Sequence, residues 1–336
     1  MEKIKHLLPP VTYYKAALHT HSNISDGQQT PEETKQTHKE QGYQILCITD
    51  HNIHINHPEL SEPDFLMLTG MEINTHQGGD WYIFNDKTYH LLFISKDPNN
   101  LWQPLPRTGK WEDYPELVAQ AENMDRSYDI AAVNALIARG NEKGFLCCYN
   151  HPVWSRQTYP DYAPLEGLWA VELCNSCNNF AYDRYNADIY RQMCSLGKNI
   201  VPLGTDDSHS APNIGKAWTM IGAPDLTYQS VITAMEKGDL YMSTGPQIHS
   251  LTVEGEYLRI TCSPVAKIHA DSGTRWSRII ENEDGSPITE AQIKLTPWLE
   301  RTASLGDTAF IWLTVTAPDG TYAATRAYRR EELITD

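Results

Sequence analysis

At 336 residues the chain is long enough to bury a barrel-sized core with a small second unit beside it. Its 43 acidic residues against 27 Lys and Arg leave a formal net charge of −16, and no basic run interrupts that balance, so a nucleic-acid partner is not expected. No apolar run reaches the roughly 18 residues of a membrane span, the first ten residues lack a secretory apolar core, and seven scattered cysteines fit a reducing compartment. The expectation is a cytoplasmic protein with no membrane partner.

In chain order, apolar and β-branched runs predict strands at Tyr14–His19, Ile45–Thr49, Phe65–Ile73, His90–Ser95, Phe145–Tyr149, Leu168–Leu173, Ile200–Gly204 and Ala217–Ile221. Between them lie helical patterns. Thr30-Pro31-Glu32-Glu33 reads as a helix start, with an N-cap residue, proline at the first helical position and acids in the first turn. Helices are predicted over Ile130–Arg139, Tyr185–Leu196 and Tyr228–Lys237, with Gly140, Gly197 and Gly238 at the expected C-terminal stops. The stretch from Asp97 to Ser127 reads either as a lid or as a surface excursion with a short helix over Pro115–Glu122. After Pro246 short alternating segments separated by turn residues predict a small β-sandwich-like tail, in which His249 and His269 read as packing or surface residues. This divides the chain into an α/β unit over residues 1–246 and a β-rich unit over 247–336.

Polar clusters recur where the strands end. They are His19-Thr20-His21, Ser25-Asp26-Gly27, Thr49-Asp50-His51, Gly70-Met71-Glu72, His90, Asn150-His151-Pro152 and Asp207-Ser208-His209. Any one of these has a plain structural explanation, such as helix capping after a strand. Four apolar runs that each end in a histidine-bearing cluster are better explained by a sheet that gathers function at the carboxyl ends of its strands. Imidazole and carboxylate together are the donors that hold Zn, Mn or Fe at neutral pH. Cys174-Asn175-Ser176-Cys177 lacks a second pair at zinc-site spacing and reads as structural.

The ordered motifs over about residues 13 to 246 resemble those of the polymerase and histidinol phosphatase (PHP) family of metal-dependent phosphoesterases. That resemblance implies a distorted (β/α)7 barrel with two or three divalent ions (Mn, Zn or Fe) at the carboxyl ends of its strands. Carried onto this chain, the implied metal ligands are His19, His21, Asp26, His51, Glu72, His90, His151, Asp207 and His209, with Glu72 bridging two ions. His76 is an alternative to His90, and Asp206 an alternative to Asp207.

Such a ligand set points to hydrolysis of a small phosphorylated substrate, a nucleotide or sugar phosphate, by metal-activated hydroxide. Glu72, Asp206 and His209 are the catalytic candidates, with a third metal's water, Asp206 or His54 able to protonate the leaving group, and Arg156 and Lys216 are candidates for clamping phosphate. A carboxylic or carbamate ester hydrolase on the same site, and a metal-binding module without turnover, are the alternatives.

Overall fold

A computed structural model describes residues 4–78, 86–105, 114–177 and 184–335. The strands are β1 (Ile4–Leu8), β2 (Thr12–Ala17), β3 (Ile45–Ile48), β4 (Leu66–His76), β5 (Thr88–Ser95), β6 (Phe145–Tyr149), β7 (Ala170–Asn175), β8 (Val201–Thr205), β9 (Trp218–Ala223), β10 (Leu240–Ser243), β11 (Ile248–Glu254), β12 (Tyr257–Val265), β13 (Lys267–Ser272), β14 (Arg278–Ile280), β15 (Ile288–Lys294), β16 (Phe310–Thr316), β17 (Tyr322–Thr325) and β18 (Tyr328–Arg329). The helices are α1 (Pro31–Glu40), α2 (Pro115–Ala119), α3 (Ile130–Glu142), α4 (Tyr159–Tyr162), α5 (Ala187–Ser195), α6 (Tyr228–Lys237) and α7 (Thr296–Arg301).

Strands β2 to β8 lie side by side in chain order within a sheet that mixes parallel and antiparallel pairs. The β2–β3–β4 and β6–β7–β8 pairs are parallel, as strand-helix alternation requires, but β5 runs against both of its neighbours. The parallel strands are buried along their length, which is why they read as continuous apolar runs rather than alternating ones. A bridge between Thr20 and Ser208 brings the end of the β2 segment against the end of the β8 segment.

The helix signals translate into real caps. Thr30 and Glu33 form a capping box at the start of α1, and Gly238 takes the left-handed conformation that closes α6. Gly140 does not stop α3 as expected. It lies inside the helix because a Cβ there would sit 2.4 Å from the Phe93 ring, so its role is close packing. The short helix expected over Pro115–Glu122 ends at Ala119, and residues 106–113 of the stretch read as a lid lie outside the described residues.

Beyond β9 the large sheet continues through β10, β17, β16, β13 and β14. A second sheet, ordered β1-β11-β12-β15, shares one apolar core with these strands, including Leu7, Leu251, Ile260, Ile268, Ile311 and Leu313. Strand β1, unmarked in the sequence pattern, pairs antiparallel with β11 and ties the start of the chain to its C-terminal part. No helix among the described residues is long and apolar enough to cross a membrane.

Candidate metal centre

One end of the sheet carries the chemistry. His19 and His21 follow β2, His51 follows β3, His151 follows β6, and Asp207 and His209 follow β8. Glu72 sits within β4, joined to His51 by a bridge. Because β5 runs opposite to β4, its near-N-terminal residue His90 lies beside Asn74 and reaches the same end as the other donors. His151 and Asp207 adopt positive φ, a conformation that costs a non-glycine residue energy and is kept where it aims a side chain. Asp26 is brought in by the Ser22–Asp26 turn, which Asp50 organises by accepting from the backbone N–H and hydroxyl of both Ser22 and Ser25.

Five imidazoles surround the single carboxylate of Glu72. Its Oε1 is 3.2 Å from His19 Nε2, 3.1 Å from His90 Nδ1 and 3.3 Å from His151 Nε2, while Oε2 is 3.3 Å from His21 Nε2 and 3.1 Å from His51 Nδ1. Asn150 Nδ2 donates to Oε1 at 2.8 Å. Asp207 Oδ1 lies 3.2 Å from His19 Nε2 and 3.1 Å from His21 Nε2. At the more open side, Asp26 Oδ2 stands 3.6 Å from His51 Nε2 and 3.4 Å from His209 Nε2. Donor atoms thus fall into groups small enough for single ions: His19 with His21 and Glu72, His19 with His151 and Asp207, His51 with Glu72 and His90, and His21 with Asp26, His51 and His209.

The electrostatics follow from packing acids and imidazoles together out of water. Burial opposes a charged Glu72, yet His19, His90 and His51 outweigh it and hold its pKa well below the usual carboxylate range. Burial likewise opposes the charge on Asp207, and His19, His21 and His209 overcome it. For His51 burial wins, lowering its pKa to about 3, whereas His209 is pushed up to about 9 because Asp26 and Asp207 outweigh its burial. His90 Nε2 is buried without a hydrogen-bond partner among the described residues, and Asp207 Oδ1 is buried with the imidazoles of His19 and His21 beside it. Orphaned donors of this kind, on a set of oxygen and nitrogen ligands with three carboxylates, fit divalent cations.

The remaining candidates fall elsewhere. Asp206 is bonded away from the cluster and joins none of its donor groups among the described residues. Its carboxylate accepts from Tyr43 Oη, Ser176 Oγ and the backbone N–H groups of Gly215, Lys216 and Ala217. His54 is also withdrawn from the site, bonded to Thr69 Oγ1 and the Trp102 carbonyl and packed edge-on against Phe145. His76 accepts from Asn74 Nδ2 and joins none of the donor groups. Arg156 is exposed on the turn after His151 and does not line the cluster's cavity. Lys216 lines a different cavity of about 750 Å³, with Ser176, Arg184 and Lys267, on the far side of the strand end from Asn175 and Cys177. The cluster's own cavity, about 140 Å³, is walled also by Trp154, which the motif pattern does not mark, and by Asn175 and Cys177 of the Cys-x-x-Cys segment read as structural, where Cys177 stands in a donor group with Asp207 and His209. Trp154 packs edge-on against His90 and His151.

Residues 17–174 match the PHP domain family. No curated protein sequence matches the chain. Among solved structures, the chain is similar to a two-domain protein containing a predicted PHP-like metal-dependent phosphoesterase from Bacteroides vulgatus, at 15% identity and TM-score 0.47, covering 96% of this chain and 98% of that one. It is similar to an amidohydrolase from Chromobacterium violaceum with sulfate bound, at 15% identity and TM-score 0.38, covering 58% of this chain and 87% of that one. A lesion-specific endonuclease from Pyrococcus furiosus is similar at 15% identity and TM-score 0.39, covering 67% of this chain and 56% of that one. The exclusion of nucleic acid drawn from net charge is therefore withdrawn: an endonuclease stands among the similar structures. The physical error was to treat the charge of the whole chain as the charge of the site, when bound ions supply positive charge locally.

Proposed function

We propose that this protein is a metal-dependent phosphoesterase, acting on a small phosphate ester at the cluster around Glu72, on a distorted (β/α)7 barrel formed by residues 1–246 with residues 247–336 as a second, β-rich unit. The observation that carries the reading is the carboxylate of Glu72 with five imidazoles 3.1–3.3 Å from its two oxygens. A carboxylate so placed would supply negative charge to divalent cations held by the surrounding imidazoles.

In this reading His19, His21, Asp26, His51, Glu72, His90, His151, Asp207 and His209 hold two or three divalent ions of the Mn, Zn or Fe type. Such ions, when bound, lower the pKa of water and neutralise phosphoryl charge. The protein's own contribution is positional. Asn150 fixes Glu72, while Asn175 donates to both Glu172 and Asp207 and holds the β7 end against the cluster. Trp154 and Cys177 wall the cavity and exclude water from one side. Asp26 is about half exposed and His209 about a quarter exposed, so they mark the mouth through which substrate enters.

The test is a comparison of rates on an aromatic phosphate monoester and on the corresponding carboxylate ester by the metal-loaded protein. Faster hydrolysis of the phosphate supports the proposal. Hydrolysis of the carboxylate ester alone assigns the site to ester chemistry, and no turnover on either with full metal occupancy assigns it to binding.

A further inference from the structure

A cavity of about 360 Å³ lies in the C-terminal part, lined among others by Arg275, Trp276, Arg278, Trp298 and Arg301. Arg275 and Trp276 come from the loop joining β13 to β14, Arg278 opens β14, and Trp298 and Arg301 come from α7. That loop is fixed by its own hydrogen bonds: Thr274 N–H donates to Ser272 Oγ, Ser272 Oγ donates to the Trp276 carbonyl, and Trp276 N–H donates to Thr274 Oγ1. The two indoles stand 6.4 Å apart, and the Arg278 guanidinium lies 5.2 Å from the centre of the Trp276 ring. Stacking of this kind orients the planar fork, and with Nη1 donating to the Ser277 carbonyl at 2.9 Å the remaining N–H groups can serve an oxyanion.

The charge is what sets this cavity apart. In a chain where acids outnumber Lys and Arg by 43 to 27, three arginines line one cavity and no Asp or Glu lines it. The arginine ion pairs seen among the described residues involve Arg139, Arg191, Arg259 and Arg326, and none of them involves Arg275, Arg278 or Arg301. Arg275, Arg278 and Arg301 thus hold three positive charges together without a neutralising carboxylate among the described residues. Three like charges repel one another, and a multiply charged anion relieves that repulsion while accepting paired N–H donors.

We propose that the Arg275–Arg278–Arg301 cavity is an oxyanion site that binds a phosphoryl group, separate from the metal cluster. The proposal does not rest on the hydrolytic reading. A phosphoryl group can arrive on a small molecule or on a nucleic-acid strand, and the two arms of the experiment tell these apart.

The experiment titrates the full-length, metal-loaded protein with inorganic phosphate in one arm and a single-stranded oligodeoxynucleotide in the other, followed by calorimetry and tryptophan emission. The wild-type protein is expected to show a class of sites that weakens about tenfold for each charge-assisted contact removed in Arg275→Gln and Arg301→Gln, and that persists in Glu72→Ala. Both arginines are exposed, so the variants should keep the wild-type melting temperature, which is checked alongside. Arginine-dependent binding of phosphate assigns the site to small phosphorylated molecules, and arginine-dependent binding of the strand alone assigns it to nucleic acid. Wild-type affinities for both probes in the double variant, or no binding of either probe outside the metal cluster, overturn the proposal. Loss of metal-dependent hydrolysis with arginine-dependent binding intact would instead count against the hydrolytic reading only.

Discussion

His19 Nδ1 donates a 2.7 Å hydrogen bond to Oε1 of Glu172, a carboxylate that itself touches none of the cluster's cavity. Glu172 is fully buried and also accepts from the His151 backbone N–H, Asn175 Nδ2 and Thr205 Oγ1. Nδ1 of His19 is thereby committed to Glu172, and Nε2 is the ring nitrogen directed at Glu72 and Asp207. Carboxylates behind metal-binding imidazoles fix the tautomer and raise the basicity of the ligand.

Glu172→Gln should therefore lower metal affinity about 10- to 100-fold, measured by competition with a coloured chelator. The melting temperature of the metal-free variant separates this effect from a loss of folding. Unchanged affinity would show that His19 is oriented by its packing alone.

The second prediction concerns Asp206, whose five donors make it a structural anchor for the loop before β9. Asp206→Asn turns an NH2 group toward donors that then lack an acceptor, which should destabilise the protein by about 3 kcal/mol. Thermal melting should show that loss, while kcat per folded molecule stays within about threefold of wild type, since transition-state contacts removed would appear in kcat. A large fall in kcat with unchanged melting would return Asp206 to the chemistry.

A third prediction follows from His54. Burial lowers its pKa to about 4, with its hydrogen bond to the Trp102 carbonyl opposing the shift only in part. The unfolded chain binds a proton at His54 below about 6.5, which the folded protein refuses until about 4. Stability from this group is therefore complete above pH 6.5 and is lost as the pH falls from 6.5 toward 4, by on the order of 3 kcal/mol. Denaturant titrations of wild type and His54→Gln across this window should show a flatter acid limb in the variant. Parallel curves would mean that His54 titrates normally in the folded state.

Much of this arrangement was legible in the sequence because strand ends and metal-type donors coincide there. The apolar runs Ile45–Ile48 and Phe145–Tyr149 marked buried strands, and the histidines after them converge. What sequence spacing did not carry was direction. Nothing local says that β5 runs backward, because antiparallel pairing is decided by the connection and not by the strand's own residues. Asp206 and Asp207 are adjacent and chemically alike, and only the positive φ at Asp207 decides which one faces the cluster. Glu172 was readable in principle, as a lone carboxylate in the buried run Ala170–Asn175, where an unpaired charge is not tolerated. Lys216 and Arg156 were chosen by proximity in sequence to site motifs, and the turns that follow those motifs carry both away from the cavity. Strand β1 was missed because its partner β11 lies some 240 residues later, beyond any local pattern.

The most direct test of the central claim is phosphate release from a panel of phosphomonoesters, nucleotides and a phosphodiester strand by metal-stripped protein reconstituted with Mn, Zn or Fe, with bound metal counted in each sample and Glu72→Ala run beside it. The wild type should hold two or three ions per chain and turn over only with them, and Glu72→Ala should lose both ions and turnover. Full metal occupancy with no phosphate released from any substrate, or Glu72→Ala retaining wild-type metal content and rate, would contradict it.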